Sequence, residues 1–163
     1  MPGKRIEGRG LFPDTESGRK RRAEKDNHQP LNLKIYTLGT DKRTEEEFLS
    51  LLSRYKIELI FDVRRFPTSQ FEHFKKENLK RTLERNNIEY LYLGAELGGY
   101  RKGGYLAYTK TEDFRKGIEI IKGKAKEKRS AILCAERFPF RCHRRFISQR
   151  LKEEGIEIED IID

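Results

Sequence analysis

The feature that most constrains the fold of this chain is the regular alternation, from Leu33 onward, of short apolar runs with longer amphipathic segments. Apolar runs of this kind are typical of buried strands, and apolar residues spaced three to four apart are typical of helices. The alternation predicts a doubly wound α/β sheet of about five mostly parallel strands with helices on both faces. The strands are predicted at residues 34–38, 58–63, 89–93, 131–133 and 156–161.

Helical segments are predicted between consecutive strands, after Asp41, around 77–86, from Thr111 and from about His143. Thr40 and Asp41 are predicted to cap the first of them, because short polar side chains accept hydrogen bonds from the first N–H groups of a helix. Gly155 is predicted to end the last helix, since glycine readily adopts the left-handed backbone conformation found there. A glycine-rich loop is predicted over residues 94–104.

Residues 1–32 differ in composition from the rest of the chain. They contain the basic run 19–22 and little apolar periodicity, which predicts a disordered basic tail. Residues 6–9 match a protease-cleavage tetrapeptide used in expression vectors, so a partly vector-derived tail stays open as an alternative. Residues 33–163 are long enough to form a single α/β domain with a proper core.

The chain is strongly basic, with 36 Lys and Arg against 27 Asp and Glu and a formal net charge of +9. A positive surface attracts phosphate groups, so the expected partner is an anionic small molecule or a nucleic acid. No apolar run approaches the roughly 20 residues of a membrane span, and no membrane partner is predicted. Two cysteines without an apolar export segment favour reduced thiols in a cytoplasmic protein. The abundance of Lys, Glu and Arg is thermophile-like.

Reactive residue types concentrate between Ser130 and Ser148, a stretch that holds both cysteines and several arginines. Cys134 ends the fourth predicted strand, whereas Cys142 and His143 stand at the start of the last helix. A helix N-terminus and nearby arginines stabilise a thiolate, so Cys142 is a candidate nucleophile with His143 as a candidate base. Adjacent residues at a helix start point in different directions, which weakens that pairing, and Cys142 as a packing residue is an equal alternative.

Polar residues follow each of the predicted parallel strands. Because the carboxyl ends of parallel strands meet at one edge of a sheet, we expect these residues to form a single rim. Asp62 could instead only orient Arg64 there, without doing chemistry. The candidate catalytic residues are Cys142, His143, Cys134, Glu136 and Asp62. The candidate anion-binding residues are Arg64, Arg141, Arg144, Arg145, Gly98 and Gly99. Tyr100, Tyr105 and Tyr108 are candidates for stacking on nucleobases.

Four motifs occur together along the chain: Tyr36-Thr-Leu-Gly-Thr40, Phe61-Asp-Val-Arg64, Leu97-Gly-Gly99, and Cys134-Ala-Glu136 followed by Cys142-His-Arg144. In this order they resemble the DUF488 family, and the resemblance covers nearly all of residues 34–163. It implies a single α/β domain with a three-layer, Rossmann-like open sheet, and no reaction. The rim residues that the family tends to keep are Asp62, Arg64, Cys134, Glu136, Cys142, His143 and Arg144. Where the family has Gly-His after the first strand, this chain has Gly39-Thr40.

The spacing of the cysteine segment disfavours three familiar kinds of site. Six residues separate Cys134 from Arg141, where cysteine phosphatases and sulfurtransferases commonly have about five. Seven residues between the cysteines do not match the CxxC of thioredoxin-like enzymes, although a strand end and a helix start can lie close enough for a redox pair. Cys134, Cys142 and His143 come from one loop without a second paired knuckle, so no metal or other cofactor is predicted.

The sequence therefore favours a small enzyme that binds a nucleotide-like or other anionic substrate at a phosphate-binding rim. The alternative is a non-catalytic nucleic-acid-binding domain that uses the same basic face. A binding module has no need for thiol, imidazole and carboxylate groups on one rim, which slightly favours the enzyme.

Overall fold

The computed structural model describes residues 33–163, and the predicted tail, residues 1–32, lies outside them. Within the described residues the sheet consists of β1 (Lys34–Gly39), β2 (Leu59–Asp62), β3 (Glu89–Tyr92), β4 (Ser130–Cys134) and β5 (Glu157–Ile161). Their order across the sheet is β3-β2-β4-β1-β5, and each of these neighbouring pairs is parallel. The predicted open α/β sheet is confirmed.

The helices between the strands of this sheet cover both of its faces. They are α1 (Glu45–Arg54), α2 (Lys76–Arg85), α3 (Gly94–Leu97), α4 (Tyr105–Tyr108), α5 (Glu112–Ala125) and α6 (Arg144–Glu153), with 3-10 turns at Glu72–Phe74 and Pro139–Arg141. Thr111 caps α5 as predicted, and Gly155 follows α6 with a φ of +89°. In the described part of the chain, none of these helices is long and apolar enough to cross a membrane.

Two apolar cores fill the space between the sheet and its helices. On one face, α1 and α2 pack against the sheet, where Ile60 of β2 and Leu133 of β4 are buried. On the other face, α5 and α6 cover Phe61 and Ile132, the sequence neighbours of those two residues. Successive side chains of a strand point to opposite faces, so a strand covered on both sides is apolar at most of its positions. This explains the short continuous apolar runs of the sequence.

The N-terminus of α1 differs from the prediction. Thr44 is the N-cap: its hydroxyl accepts a hydrogen bond from the Glu47 N–H, and the Glu47 side chain accepts one from the Thr44 N–H. Thr40 and Asp41 instead donate their backbone N–H groups to the carbonyls of Cys134 and Ala135, at 2.8 and 2.9 Å. The prediction that they cap the helix is wrong, because they continue the pairing of β1 with β4.

The carboxyl ends of the central strands lie side by side. Gly39 of β1 is opposite Cys134 of β4, and Leu133 of β4 is opposite Asp62 of β2. The segment that follows Cys134 crosses directly over the end of β1, and a Cβ atom on Gly39 would lie 1.9 Å from the Glu136 carbonyl oxygen. Only glycine allows this approach, which brings the loops after β1 and β4 together.

Candidate functional site

A cavity of about 520 Å³ opens at the carboxyl ends of β1, β2 and β4. This is the edge of a parallel sheet at which ligands generally bind, because the loops that follow the strands can vary there without disturbing the sheet. The structure brings together most of the predicted rim in its wall. The candidate catalytic and anion-binding residues that line it are Arg64, Gly99, Cys134, Glu136, Arg141, Cys142 and His143, and the stacking candidate Tyr100 lines it as well.

Cys134 and Cys142 lie in sulfur–sulfur contact and are joined as a disulfide. Cys134 ends β4, and the Pro139–Arg141 turn reverses the chain so that Cys142 returns above it. The two residues are 3% and 7% exposed, and both line the cavity. The expectation of two reduced thiols is therefore corrected, whereas the proximity of strand end and helix start is as predicted.

His143 precedes α6 and is oriented by a backbone carbonyl. Its Nε2 lies 3.1 Å from the carbonyl oxygen of Val63, which can only accept, so Nε2 carries the proton. The lone pair is therefore on Nδ1, which lies 3.7 Å from Sγ of Cys142. The argument that these adjacent side chains diverge is wrong, since Nδ1 faces the sulfur. Burial lowers the pKa of His143 to about 4. The hydrogen bond to Val63 acts in the opposite direction, and the positive charge of Arg144 lowers the pKa further, so the ring is neutral at pH 7.

Asp62 and Arg64 form a closed buried network beside the cavity. Nε and Nη2 of Arg64 each donate to one oxygen of Asp62 at 2.8 Å, and Nη1 donates to the Phe74 carbonyl at 2.7 Å. The hydroxyl of Tyr90 donates to Asp62 at 2.6 Å. Burial and the Asp62 carboxylate raise the pKa of Tyr90, so it remains the donor. Asp62 does not line the cavity. This arrangement corresponds to the alternative in which Asp62 only orients Arg64 and does no chemistry.

Tyr90 was missed by the sequence reasoning. It occupies a position in a predicted strand, and aromatic residues are common in strands for packing alone. The signal that could have indicated its role is the register of β2 and β3. Tyr90 is opposite Ile60, and Ile60 comes two residues before Asp62 in β2. That register depends on the strand order, which the sequence does not provide.

The predicted arginines of α6 lie outside the cavity wall. Arg144 is only 1% exposed, and its Nη2 donates to the carbonyls of Glu136 and Arg137 at 2.9 and 2.7 Å. Burial lowers the pKa of Arg144 to about 10, which leaves the guanidinium charged at pH 7. Arg145 is exposed and donates to the Phe140 carbonyl. Arg144 thus holds the loop that carries Glu136. Gly98, another predicted anion-binding residue, packs closely against Arg65 and also does not line the cavity.

Two pairs of exposed aromatic side chains lie in the loops that carry the cavity wall. Tyr100 is 87% exposed, and its ring centroid lies 6.0 Å from that of Phe66. Phe138 and Phe140 form a second exposed pair at 5.7 Å, in the segment between β4 and α6. Tyr105, one of the predicted stacking residues, is largely buried and donates its hydroxyl to the Leu97 carbonyl. Composition alone could not distinguish these exposed aromatic residues from those of the core.

Two cationic side chains of the cavity wall, Lys42 and Arg65, were not among the predicted anion-binding residues. Lys42 is exposed in the loop after β1, and Arg65 donates through Nη1 to the Tyr100 carbonyl at 3.1 Å. That bond holds Tyr100 in a left-handed conformation with a φ of 60°, which is uncommon for a residue other than glycine. The loop is therefore fixed from the β2 side of the cavity.

The comparisons with known proteins identify a family and give no information on its activity. The family model described as domain of unknown function DUF488 matches residues 44–151, which include β2, β3, β4 and nearly all of the cavity wall. No curated protein and no solved structure matches the chain.

Proposed function

The chain belongs to the DUF488 family, and we propose that it is a small enzyme whose substrate is an anionic, nucleotide-like molecule. The observation that carries the proposal is the cavity itself, where cationic side chains share one wall with the Cys134–Cys142 pair, an imidazole and a carboxylate. Cavities with a few convergent polar groups are the usual form of a small-molecule site.

The charges of the wall favour an anion. Lys42, Arg65 and Arg141 contribute positive charge in addition to Arg64, whose own charge is balanced by Asp62. Of the two acids that line the cavity, Asp41 is paired with Arg137 at 2.8 Å, which leaves Glu136 to offset the cations. A cleft with excess positive charge concentrates phosphate-bearing molecules.

The aromatic residues of the wall favour a ligand with a flat ring. Phe66, Phe71 and Tyr100 line the cavity, and the Arg65 guanidinium lies 5.6 Å from the Phe66 ring centroid. Stacking of a nucleobase on such rings is favourable for any base, because every base has a π face. Phosphate recognition by arginine together with base stacking describes a nucleotide-like substrate. His143, Glu136 and, in the reduced protein, Cys142 are the groups available for chemistry beside it.

Binding of nucleoside monophosphates, measured calorimetrically at low salt, tests the substrate class. We expect a nucleoside monophosphate to bind and the matching nucleoside to bind at least tenfold more weakly, because a hydrogen bond to a charged group is worth about 1.5–3 kcal/mol. Arg141→Ala should remove most of that difference. Arg145→Ala is the matched control, since Arg145 is also exposed but does not line the cavity. Equal binding of nucleoside and nucleotide would overturn the proposal.

Conversion of the bound nucleotides, followed by mass spectrometry, tests whether the protein is an enzyme. We expect turnover that falls by orders of magnitude in Glu136→Gln, because a positioned proton-transfer group typically contributes 10²–10⁴-fold. Tight binding with no conversion of any bound nucleotide would overturn the enzymatic part.

A second candidate function, binding of single-stranded nucleic acid, is favoured by two pairs of exposed aromatic residues, one of which lines the cavity. Phe66 with Tyr100, and Phe138 with Phe140, each have an arginine guanidinium near a ring, that of Arg65 and Arg141 respectively. Arginines beside stacking platforms are typical of single-strand binding surfaces. Affinity for a short single-stranded oligonucleotide that falls log-linearly with salt would support this candidate, and its absence at low salt would exclude it.

A further inference from the structure

We propose that the reduced form of this protein binds one zinc ion through Sγ of Cys134, Sγ of Cys142 and Nδ1 of His143, with a fourth position open to the cavity. The three ligand atoms lie within 4.8 Å of one another, and all three residues line the cavity. Three protein ligands and one open position are the arrangement of catalytic zinc sites, as opposed to closed structural ones. The inference goes beyond the proposed function and does not depend on it.

The distances between ligand atoms suit a tetrahedral ion. With Zn–S near 2.3 Å and Zn–N near 2.05 Å, tetrahedral geometry separates a sulfur and a nitrogen ligand by about 3.6 Å. Sγ of Cys142 and Nδ1 of His143 are 3.7 Å apart. The Cα atoms of the two cysteines are 7.5 Å apart, beyond the 4.4–6.8 Å usual for disulfide partners. This backbone spacing leaves room for two separate thiolates with an ion between them.

The tautomer of His143 is the one that a metal ligand at Nδ1 requires. Because Nε2 donates to the Val63 carbonyl, Nδ1 has its lone pair directed away from the sheet and towards the sulfurs. A backbone carbonyl that accepts from the non-ligating nitrogen is a common outer partner of metal-bound histidines. The Tyr105 ring, 5.2 Å from that of His143, fixes the imidazole further.

Gly99 lies against the ring of His143 next to this nitrogen. A Cβ atom at Gly99 would lie 3.0 Å from Nδ1 of His143 and 3.4 and 3.5 Å from the two ring carbons bonded to it, so a side chain there would press on the imidazole ring. The absence of a side chain at Gly99 therefore lets the His143 ring keep its position at the site. A larger residue there would crowd Nδ1 without changing any of the three ligands.

The chemistry of the donor set selects zinc among common cations. Two thiolates and an imidazole are soft or borderline donors, which magnesium and calcium disfavour and zinc prefers. The backbone N–H of Arg144 lies 3.5 Å from Sγ of Cys142 and favours its thiolate form. Two thiolates neutralise the charge of a divalent cation. The zinc complex would therefore add no net charge to the nearly buried site.

The disulfide and the zinc complex exclude each other, and reduction connects them. Two equivalents of a small-molecule thiol reduce the Cys134–Cys142 bond to two protein thiols and are themselves oxidised to one disulfide. Zinc then binds as both thiols release their protons to solvent, with no further change in oxidation state. The structure with its sulfurs joined is the oxidised form of the same site.

Cobalt(II) titration of the full chain, with zinc displacement, tests the proposal. After anaerobic reduction and removal of the reductant, we expect one equivalent of Co²⁺ to give intense thiolate-to-cobalt absorption and tetrahedral d–d bands, both abolished by Zn²⁺. The unreduced protein is a control of identical sequence and should give neither. His143→Ala should weaken Co²⁺ binding at least tenfold, whereas His73→Ala, at a histidine bonded to the Arg43 carbonyl, should not.

Two results would overturn the zinc site. One is the absence of thiolate-to-cobalt absorption in reduced protein whose two thiols have been counted by a thiol reagent. The other is a spectrum unchanged in His143→Ala, which would remove the imidazole from the ligand set. Gly99→Val keeps all three ligands and should weaken Co²⁺ binding, so it provides a test if His143→Ala does not fold. Nucleotide binding by metal-free protein is measured separately, so failure of either proposal leaves the other testable.

Discussion

The loops that follow β2 and β4 begin side by side, yet they use their polar residues in opposite ways. After β2, the carboxylate of Asp62 accepts from Arg64 and Tyr90, and the network is closed on itself. After β4, the Nδ1 lone pair of His143 and the sulfur atoms face a cavity. Closed networks of this kind fix a loop, whereas groups left facing a cavity are available to a ligand. Substitutions in the closed network should therefore change stability, and substitutions of groups that face the cavity should change binding.

Removing the buried carboxylate should have the largest effect on stability. Asp62→Ala leaves the Arg64 guanidinium buried without a counter-charge, and we expect a loss of about 3–5 kcal/mol in the free energy of unfolding. Urea denaturation measures it. Glu112→Ala, which removes the carboxylate of the exposed pair with Arg115, is the control and should change little. A loss for Asp62→Ala as small as that of the control would contradict the closed network.

Adding a methyl group where the loop after β4 crosses the end of β1 should have the next largest effect. Gly39→Ala places a Cβ atom against the Glu136 carbonyl, and we expect a loss of about 1–3 kcal/mol as the backbone shifts. Gly123→Ala is the matched substitution, because a Cβ atom there has no neighbour within 4 Å and alanine favours the helix. If both variants unfold at the same urea concentration, the close approach at Gly39 is not what joins the loops.

Removing one donor from the closed network should have a smaller effect. Tyr90→Phe deletes the hydroxyl that donates to Asp62, but Arg64 still donates to both carboxylate oxygens, so we expect a loss of about 1 kcal/mol. Tyr92→Phe, which loses a bond to the neutral Arg65 carbonyl, is the comparison. Thermal unfolding of the two variants side by side would show whether the charged acceptor makes the difference, and a larger loss for Tyr92→Phe would argue against it.

Changes at exposed side chains that line the cavity, in either loop, should affect binding and leave stability almost unaltered. Phe66→Ala removes an exposed ring, so we expect the free energy of unfolding to change by no more than about 0.5 kcal/mol. Nucleotide affinity should nevertheless fall severalfold or more, since stacking is worth about 1–3 kcal/mol per base. Ile120→Ala, at an exposed apolar residue of α5, controls for loss of surface area alone. Unchanged affinity in Phe66→Ala would remove this ring from the site.

Much of the fold could be predicted from the sequence because it depends on local patterns. Apolar runs covered on both faces identified the strands, and the polar residues after them identified the rim. The cap of α1 was placed too early because Thr40 and Asp41 are as suitable for capping as Thr44, and only the pairing of β1 with β4 decides between them.

The site was predicted less completely because its geometry depends on contacts between distant residues. That Nδ1 of His143 faces Cys142 follows from the Val63 carbonyl, 80 positions earlier in the chain. That Arg144 holds a loop follows from its burial, which charge patterns do not reveal. Residue types indicated where the chemistry lies, and the strand order determined which groups remain available for it.

The central place of β4 affects how Cys134 can be reached. β4 lies between β1 and β2, so its amide hydrogens should exchange with solvent only when the whole sheet opens. Reagents therefore cannot reach the sulfur by fraying of an edge strand and have to enter through the mouth of the cavity. The width of that entrance can therefore be measured by comparing the rates at which alkylating reagents of increasing size label reduced Cys134.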